Sequence, residues 1–185
     1  AGRLWDYAGG GPYRPRDVAP APDAQIDASG VSPHKCFGGP GASGILSLRR
    51  DAVATQKPSW PGGGTVKFVS PDAHDYSDNG EAREEAGTPN VVGDIRAALA
   101  FLVKDRIGDD RMARRTAALA RQGMAALSTA PGAELLGNTT APRLPIFPLP
   151  VRPPDGTAVH PHLATLLVSA SSGIQPGGGS ARAGP

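Results

Sequence analysis

The stretch Val31-Ser-Pro-His-Lys-Cys-Phe-Gly-Gly-Pro-Gly-Ala-Ser-Gly-Ile-Leu46 decides how the rest of the chain is read. Lys35 follows a histidine, and four glycines stand among the next nine residues. The other lysines, Lys57, Lys67 and Lys104, read as solvated surface residues, whereas Lys35 lies among loop glycines and small polar side chains. An amine beside nearly bare backbone fits a lysine that reaches a cofactor aldehyde, since desolvation lowers its pKa toward the neutral nucleophile. Ser32, His34 and unobstructed backbone N–H groups could bond a phosphate. The residues alone more often mean a glycine-rich turn carrying one exposed lysine.

Outward from this loop, short apolar runs precede it and alternating ones follow. Leu4–Ala8 and Ile26–Val31 are strand-sized, while Gly44–Arg49 and Thr65–Val69 alternate as half-buried strands do. A loop rich in proline and glycine joins Ala8 to Ala24 and should run over the surface. Thr88-Pro-Asn90 opens the first long helix, with Thr88 as its expected N-cap. Val91, Ile95, Leu99 and Val103 form one apolar stripe along it, and Gly108 ends it. Asp109-Asp110 begins a second helix that runs to about Leu127, its acids at the positive end. Leu144–Val151 carries three prolines and is expected to be an edge or distorted strand. A third helix is expected from His160-Pro-His162 to Gly173. Strands first and helix–strand units later define an α/β or α+β chain with a break near Pro61.

The 185 residues allow one good-sized domain or parts of two. Hydrophobic content of 39% with 25 Gly and 20 Pro implies ordered elements joined by irregular loops. A net charge of +2, with no basic stripe interleaved with aromatics, gives no support to nucleic-acid binding. Cys36 is the one cysteine, which excludes an internal disulfide and a zinc knuckle and fits a reducing compartment. No apolar run reaches the length of a membrane helix, about 20 residues. The start lacks a basic, then apolar, signal segment, and lacks a methionine as a processed chain or fragment would.

The Ser32-Pro-His-Lys35 segment with Gly38-Gly-Pro-Gly-Ala-Ser-Gly44 resembles the cofactor-lysine motif of the class V aminotransferases. That pyridoxal-phosphate family includes the cysteine desulfurases. Trp5-Asp-Tyr-Ala8, Pro61-Gly-Gly-Gly-Thr-Val66, Arg83–Arg96, Leu144-Pro-Ile-Phe147 and Gly173-Ile-Gln175 extend the resemblance, in order, over nearly the whole chain.

The resemblance implies the end of a fold type I, aspartate aminotransferase-like large domain over residues 1–60, an α+β small domain over 61–175 and a flexible tail over 176–185. It implies pyridoxal 5'-phosphate bound to Lys35 as the Schiff-base lysine, which then shuttles the substrate's α-proton. Asp6 would face the pyridine nitrogen, where a carboxylate keeps the ring protonated. Ser32 and His34 would hold the phosphate. Gly87-Thr88 would reach the phosphate bound in a neighbouring subunit, so a homodimer would complete each site. An amino-acid substrate, group transfer or elimination chemistry, and a cytoplasmic location, with an organelle as alternative, follow from the same likeness. No metal, nucleic acid or membrane enters.

The chain departs from the pattern in three places. Gly177 stands where the family places an arginine for the substrate carboxylate, and Arg182 could replace it only if the tail folds back. Cys36 directly follows Lys35, so its side chain should leave the backbone in another direction, which disfavours a cysteine desulfurase-like C–S lyase. The upstream part of the large domain is absent, which would leave an uncovered sheet edge and apolar face and keeps a catalytically inactive remnant or binding module as the alternative. His160 and His162 supply only half a tetrahedral metal site and read as a helix start. Asp72–Glu85, with His74, reads as a solvated loop near the dimer interface.

Overall fold

The structure is a computed structural model describing residues 2–179. It forms two compact units, Ala1–Met112 and Ala113–Pro185. In the first, β1 (Leu4–Asp6), β2 (Ala28–Val31) and β3 (Ile45–Leu48) make a sheet in the order β1-β2-β3. β1 and β2 are parallel, with Leu4 opposite Ala28 and Asp6 opposite Gly30. β2 and β3 are antiparallel, with Ala28 opposite Leu48 and Val31 opposite Ile45. β4 (Val66–Val69) and β5 (His74–Tyr76) form an antiparallel ribbon with an irregularity between Val66 and Phe68.

Side chains two residues apart on a strand share a face. Leu4, Leu46 and Leu48 therefore lie together, and all three are exposed, Leu46 by 64%. The opposite face carries Val31 and Ile45, which share a cavity with Phe101 and Lys104 of α2 (Val91–Ile107). Among the described residues the sheet is thus open on one face and along β1.

Three expectations about the first unit need correction. The cap of α2 is Asn90, whose side chain accepts from the Gly93 N–H at 3.1 Å, and Thr88 stands two residues outside it. Asparagine caps as well as threonine or better, and the bare Gly93 lets its amide fold over the first turn. The large residues Val91, Ile95, Leu99 and Val103 do not face the core: all are exposed, Ile95 by 55%, while Gly93, Ala97 and Ala100 are buried. The small-residue side of α2, with Gly93, Ala97 and Ala100, is the one that permits the closest approach. The acidic Asp72–Glu85 segment is not a featureless loop, since it contains β5 and the short helix α1 (Gly80–Glu84), capped by Asn79.

In the second unit lie most of α3 (Asp109–Leu127) and all of α4 (Pro161–Ser172), the latter capped by His160 at its start and by Gly173, with φ +70°, at its end. Leu144–Val151 forms no strand, and its prolines leave one antiparallel bridge, Ala133 to Val151. Phe147 packs over Gly123 of α3, with the Arg143 guanidinium 5.9 Å from its ring centre. Arg182 and the end of the expected tail, from 180 onward, lie outside the described residues.

Candidate active site

β1 and β2 run parallel, so their C-terminal ends lie at one edge of the sheet, where open α/β sheets hold ligands. β1 ends in Asp6. β2 ends at Val31 and passes into Ser32 and a tight turn over Pro33–Lys35. The backbone joins the two ends: the Tyr7 N–H donates to the Gly30 carbonyl at 2.8 Å. Asp6, Ser32, His34 and Lys35 are thus brought to neighbouring strand ends.

The turn is closed by its own backbone. Lys35 N–H donates to the Ser32 carbonyl at 3.0 Å, and Cys36 N–H to the Pro33 carbonyl at 2.9 Å. Pro33 is buried beneath, while His34 and Lys35 are exposed above it. The Ser32 hydroxyl makes no capping bond to the turn, which leaves it available to a ligand. Gly39 N–H donates to the Cys36 carbonyl at 3.1 Å. A Cβ on Gly39 would overlap the Pro33 carbonyl oxygen, so this position must be glycine for the turn to close. Farther on, Ser43 N–H donates to the Gly93 carbonyl at 3.1 Å, and Arg96 lies over Gly41, seating the loop on the first turns of α2.

Asp6 has one oxygen engaged: its Oδ1 accepts from the Ala8 N–H at 2.7 Å. The carboxylate is exposed and oriented by that bond, as a carboxylate ending a strand and capping a turn would be. Gly87 has φ +87°, a conformation that favours glycine, and its N–H donates to the Gly63 carbonyl at 2.8 Å. Thr88 is exposed just before α2. Nothing among the described hydrogen bonds ties Gly87 or Thr88 to the Lys35 group of the same chain.

Cys36 is 6% exposed, and burial pushes its thiol pKa up despite the nearby Lys104 ammonium. His160 and His162 meet edge to face with centres 5.2 Å apart. Among the described residues no group of three His, Cys, Asp or Glu side chains is placed to hold a metal. Gly177 is exposed on the chain after α4.

One residue that the sequence hid is Arg83 of α1, 4% exposed. Its guanidinium donates to the Ser77 carbonyl at 3.0 Å, the Thr55 carbonyl at 3.3 Å and Gln56 Oε1 at 3.4 Å. Glu84 Oε2 accepts from the Ser59 N–H at 3.0 Å. Together these two side chains clamp residues 55–59 against the helix that leads into Gly87-Thr88. An arginine within an acidic run gave no sequence signal of burial.

An amine, a hydroxyl, an imidazole and a carboxylate at adjacent parallel strand ends, around a turn that tolerates no Cβ at Gly39, fit a cofactor with an aldehyde, a phosphate and a basic ring nitrogen. The chain matches the model of the class-V aminotransferases over residues 4–185 and belongs to that family. The family is pyridoxal-phosphate-dependent, and its fold is the fold type I one. Among curated relatives, a protein named a probable cysteine desulfurase from Xylella fastidiosa is 32% identical over 147 residues, 79% of this chain and 33% of its own length. The cysteine desulfurase of an Enterobacter species is 33% identical over 107 residues, 57% of this chain and 26% of its own. The apo cysteine desulfurase of Thermococcus onnurineus superposes with a TM-score of 0.68 at 25% identity, over 93% of this chain and 41% of that one. The chain therefore spans about a third or less of the curated relatives it matches. No described helix is long and apolar enough to cross a membrane.

Proposed function

We propose that this chain carries the lysine-bearing end of a pyridoxal-phosphate-dependent enzyme that acts on an amino acid by group transfer or elimination. The observation that carries the reading is Lys35, exposed on a turn directly after β2, with Asp6 ending the parallel neighbour β1. When bound, the cofactor supplies an electron sink for a substrate carbanion. Lys35 Nζ would hold the cofactor's aldehyde group and would afterwards carry the proton at the substrate's Cα. The Asp6 carboxylate, oriented by Ala8 N–H, would keep a proton on the ring nitrogen. The Ser32 hydroxyl and the His34 imidazole would donate to the phosphate.

Gly87 and Thr88 serve the phosphate of a partner copy, so the working form is a homodimer. The exposed apolar residues Val91, Ile95, Leu99 and Leu102 on α2, the helix that begins just after Thr88, support that arrangement. Residues 1–60 are assigned to the end of the large domain and 61–175 to the small one by family role rather than by packing, because α2 seats the Lys35 loop. The location that goes with this reading is the cytoplasm.

The relatives' names favour C–S cleavage as a second reading. Cys36 is not its attacking thiol, since it is buried and holds its proton more firmly than a free cysteine.

Adding pyridoxal phosphate to the chain, reducing with borohydride and mapping the labelled peptide tests the proposal. A visible absorbance band and label on Lys35, both lost in Lys35→Ala, are expected. No band, or label spread over Lys57, Lys67 and Lys104, would leave the noncatalytic remnant as the reading.

A further inference from the structure

A cavity of about 160 Å³ lies between α2 and the sheet face opposite Asp6. Val31 and Ile45 of the sheet and Phe101 of α2 give it an apolar floor, and Arg14, Arg16 and Lys104 give it a cationic rim. Lys104 is neutralised: its Nζ lies 3.2 Å from Asp109 Oδ1 and donates to the Arg14 carbonyl at 3.3 Å. The two arginines are not. Among the described residues neither has a carboxylate within ion-pair distance. The Arg16 guanidinium is nevertheless fixed, since its Nη1 donates to Ser29 Oγ at 2.8 Å, and Ser29 is 1% exposed.

Two uncompensated guanidinium groups over an apolar floor call for one anion attached to a hydrocarbon body. A planar guanidinium pairs with a carboxylate through two parallel charge-assisted hydrogen bonds. A volume of about 160 Å³, open to solvent on its cationic side, is of the size that takes a benzene-sized group. We propose that this cavity binds a small organic monocarboxylate, its carboxylate on Arg14 and Arg16 and its aromatic or short aliphatic body against Val31, Ile45 and Phe101. Lys35 does not line this cavity, and the proposal does not depend on the cofactor reading. Inorganic phosphate, which has charge but no apolar body, should bind far more weakly.

Calorimetric titration of the 185-residue chain at low salt, with benzoate and inorganic phosphate as the two probes, tests this. Benzoate should saturate a single site. Arg16→Gln and Arg14→Gln should each weaken it by about tenfold or more, the expected loss for one charge-assisted bond. Arg121→Gln, on the exposed side of α3, should leave it unchanged. The Arg14 side chain makes no described bond within the chain, so that variant separates binding from folding should Arg16→Gln unfold. Failure of benzoate to saturate, equal binding of phosphate, or equal weakening by Arg121→Gln would each overturn the proposal.

Discussion

Replacing Gly39 by alanine should damage the Lys35 turn far more than replacing Gly38, although the two are adjacent and chemically identical. Gly38 has φ +76° and nothing within 4 Å of a would-be Cβ, so Gly38→Ala pays only for its backbone conformation, about 1–2 kcal/mol. Gly39 has no such φ, but its Cβ would lie more than 1 Å inside the 3.0 Å closest approach to the Pro33 carbonyl oxygen, with Pro33 C at 2.9 Å and Cys36 O at 3.1 Å. Each of these is backbone and cannot rotate away. The Pro33 carbonyl is also the acceptor of Cys36 N–H, so moving it opens the turn that carries Lys35. Forcing such an overlap costs about 2–3 kcal/mol. A displacement of about 1 Å at a reacting group can slow its chemistry by about a hundredfold. The assays are urea denaturation for stability and the initial rate of borohydride-fixed pyridoxyl label on Lys35. Gly38→Ala should lose modest stability and label at close to the parent rate, whereas Gly39→Ala should lose more stability and label about a hundredfold more slowly. Equal stability and equal labelling in the two variants would refute the close approach at Gly39.

Three other outcomes follow from single side chains. Arg83→Ala should destabilise the chain by about 3 kcal/mol, because it strands the Ser77 and Thr55 carbonyls and frees residues 55–59, read as a lower urea midpoint. Asn90→Ala should cost about 1 kcal/mol and Thr88→Ala almost nothing in thermal unfolding, the reverse of the order expected if Thr88 capped α2. Cys36 should react with iodoacetamide at pH 8 more slowly in the folded chain than in urea, because burial raises its pKa above the ordinary 9.0. The unfolded thiol then releases its proton first as pH climbs past 9.0, so this residue withdraws stability above that pH and is neutral below it. Denaturation midpoints of the parent and Cys36→Ala at pH 8 and 10 measure that loss.

How much the sequence disclosed depended on whether a residue's role was local. The strands around the lysine loop were readable from short apolar runs and, for β3 and β4, from alternation, and β1 to β4 fall within the expected runs. The candidate site residues were proposed because an amine among glycines has few structural uses, and the fold places Asp6 at the end of β1 and Ser32, His34 and Lys35 just after the end of its parallel neighbour β2. The α2 face was not readable. Periodicity selects the largest apolar residues as the core stripe, but here packing selects the smallest, because Gly93 must pass close to Ser43 of the loop. Likewise β5 exists only because β4 pairs with it, and a three-residue strand carries no period of its own. Arg83 was invisible for the same reason, since its acceptors are carbonyls 6 to 28 residues away along the chain.

The same fact about α2 explains how so small a sheet can hold an amine in place. Lys35 is exposed and no side chain is described as bonding it, so its position comes entirely from backbone. That backbone is fixed on both sides of the turn: behind by the Tyr7-to-Gly30 bond that ties β1 to β2, and ahead by the Ser43-to-Gly93 bond that ties the loop to α2. A side chain at Gly39 would strike the Pro33 carbonyl, and one at Gly93 would crowd the Asn90 and Ser43 side chains, so the glycines act here as spacers rather than as sources of flexibility. A lysine positioned in this way keeps its whole side chain free, as the proposed cofactor role would require. The α2 that seats the loop also begins beside Thr88, so in the proposed dimer one rigid element would set the lysine of one site and the phosphate contact of the other.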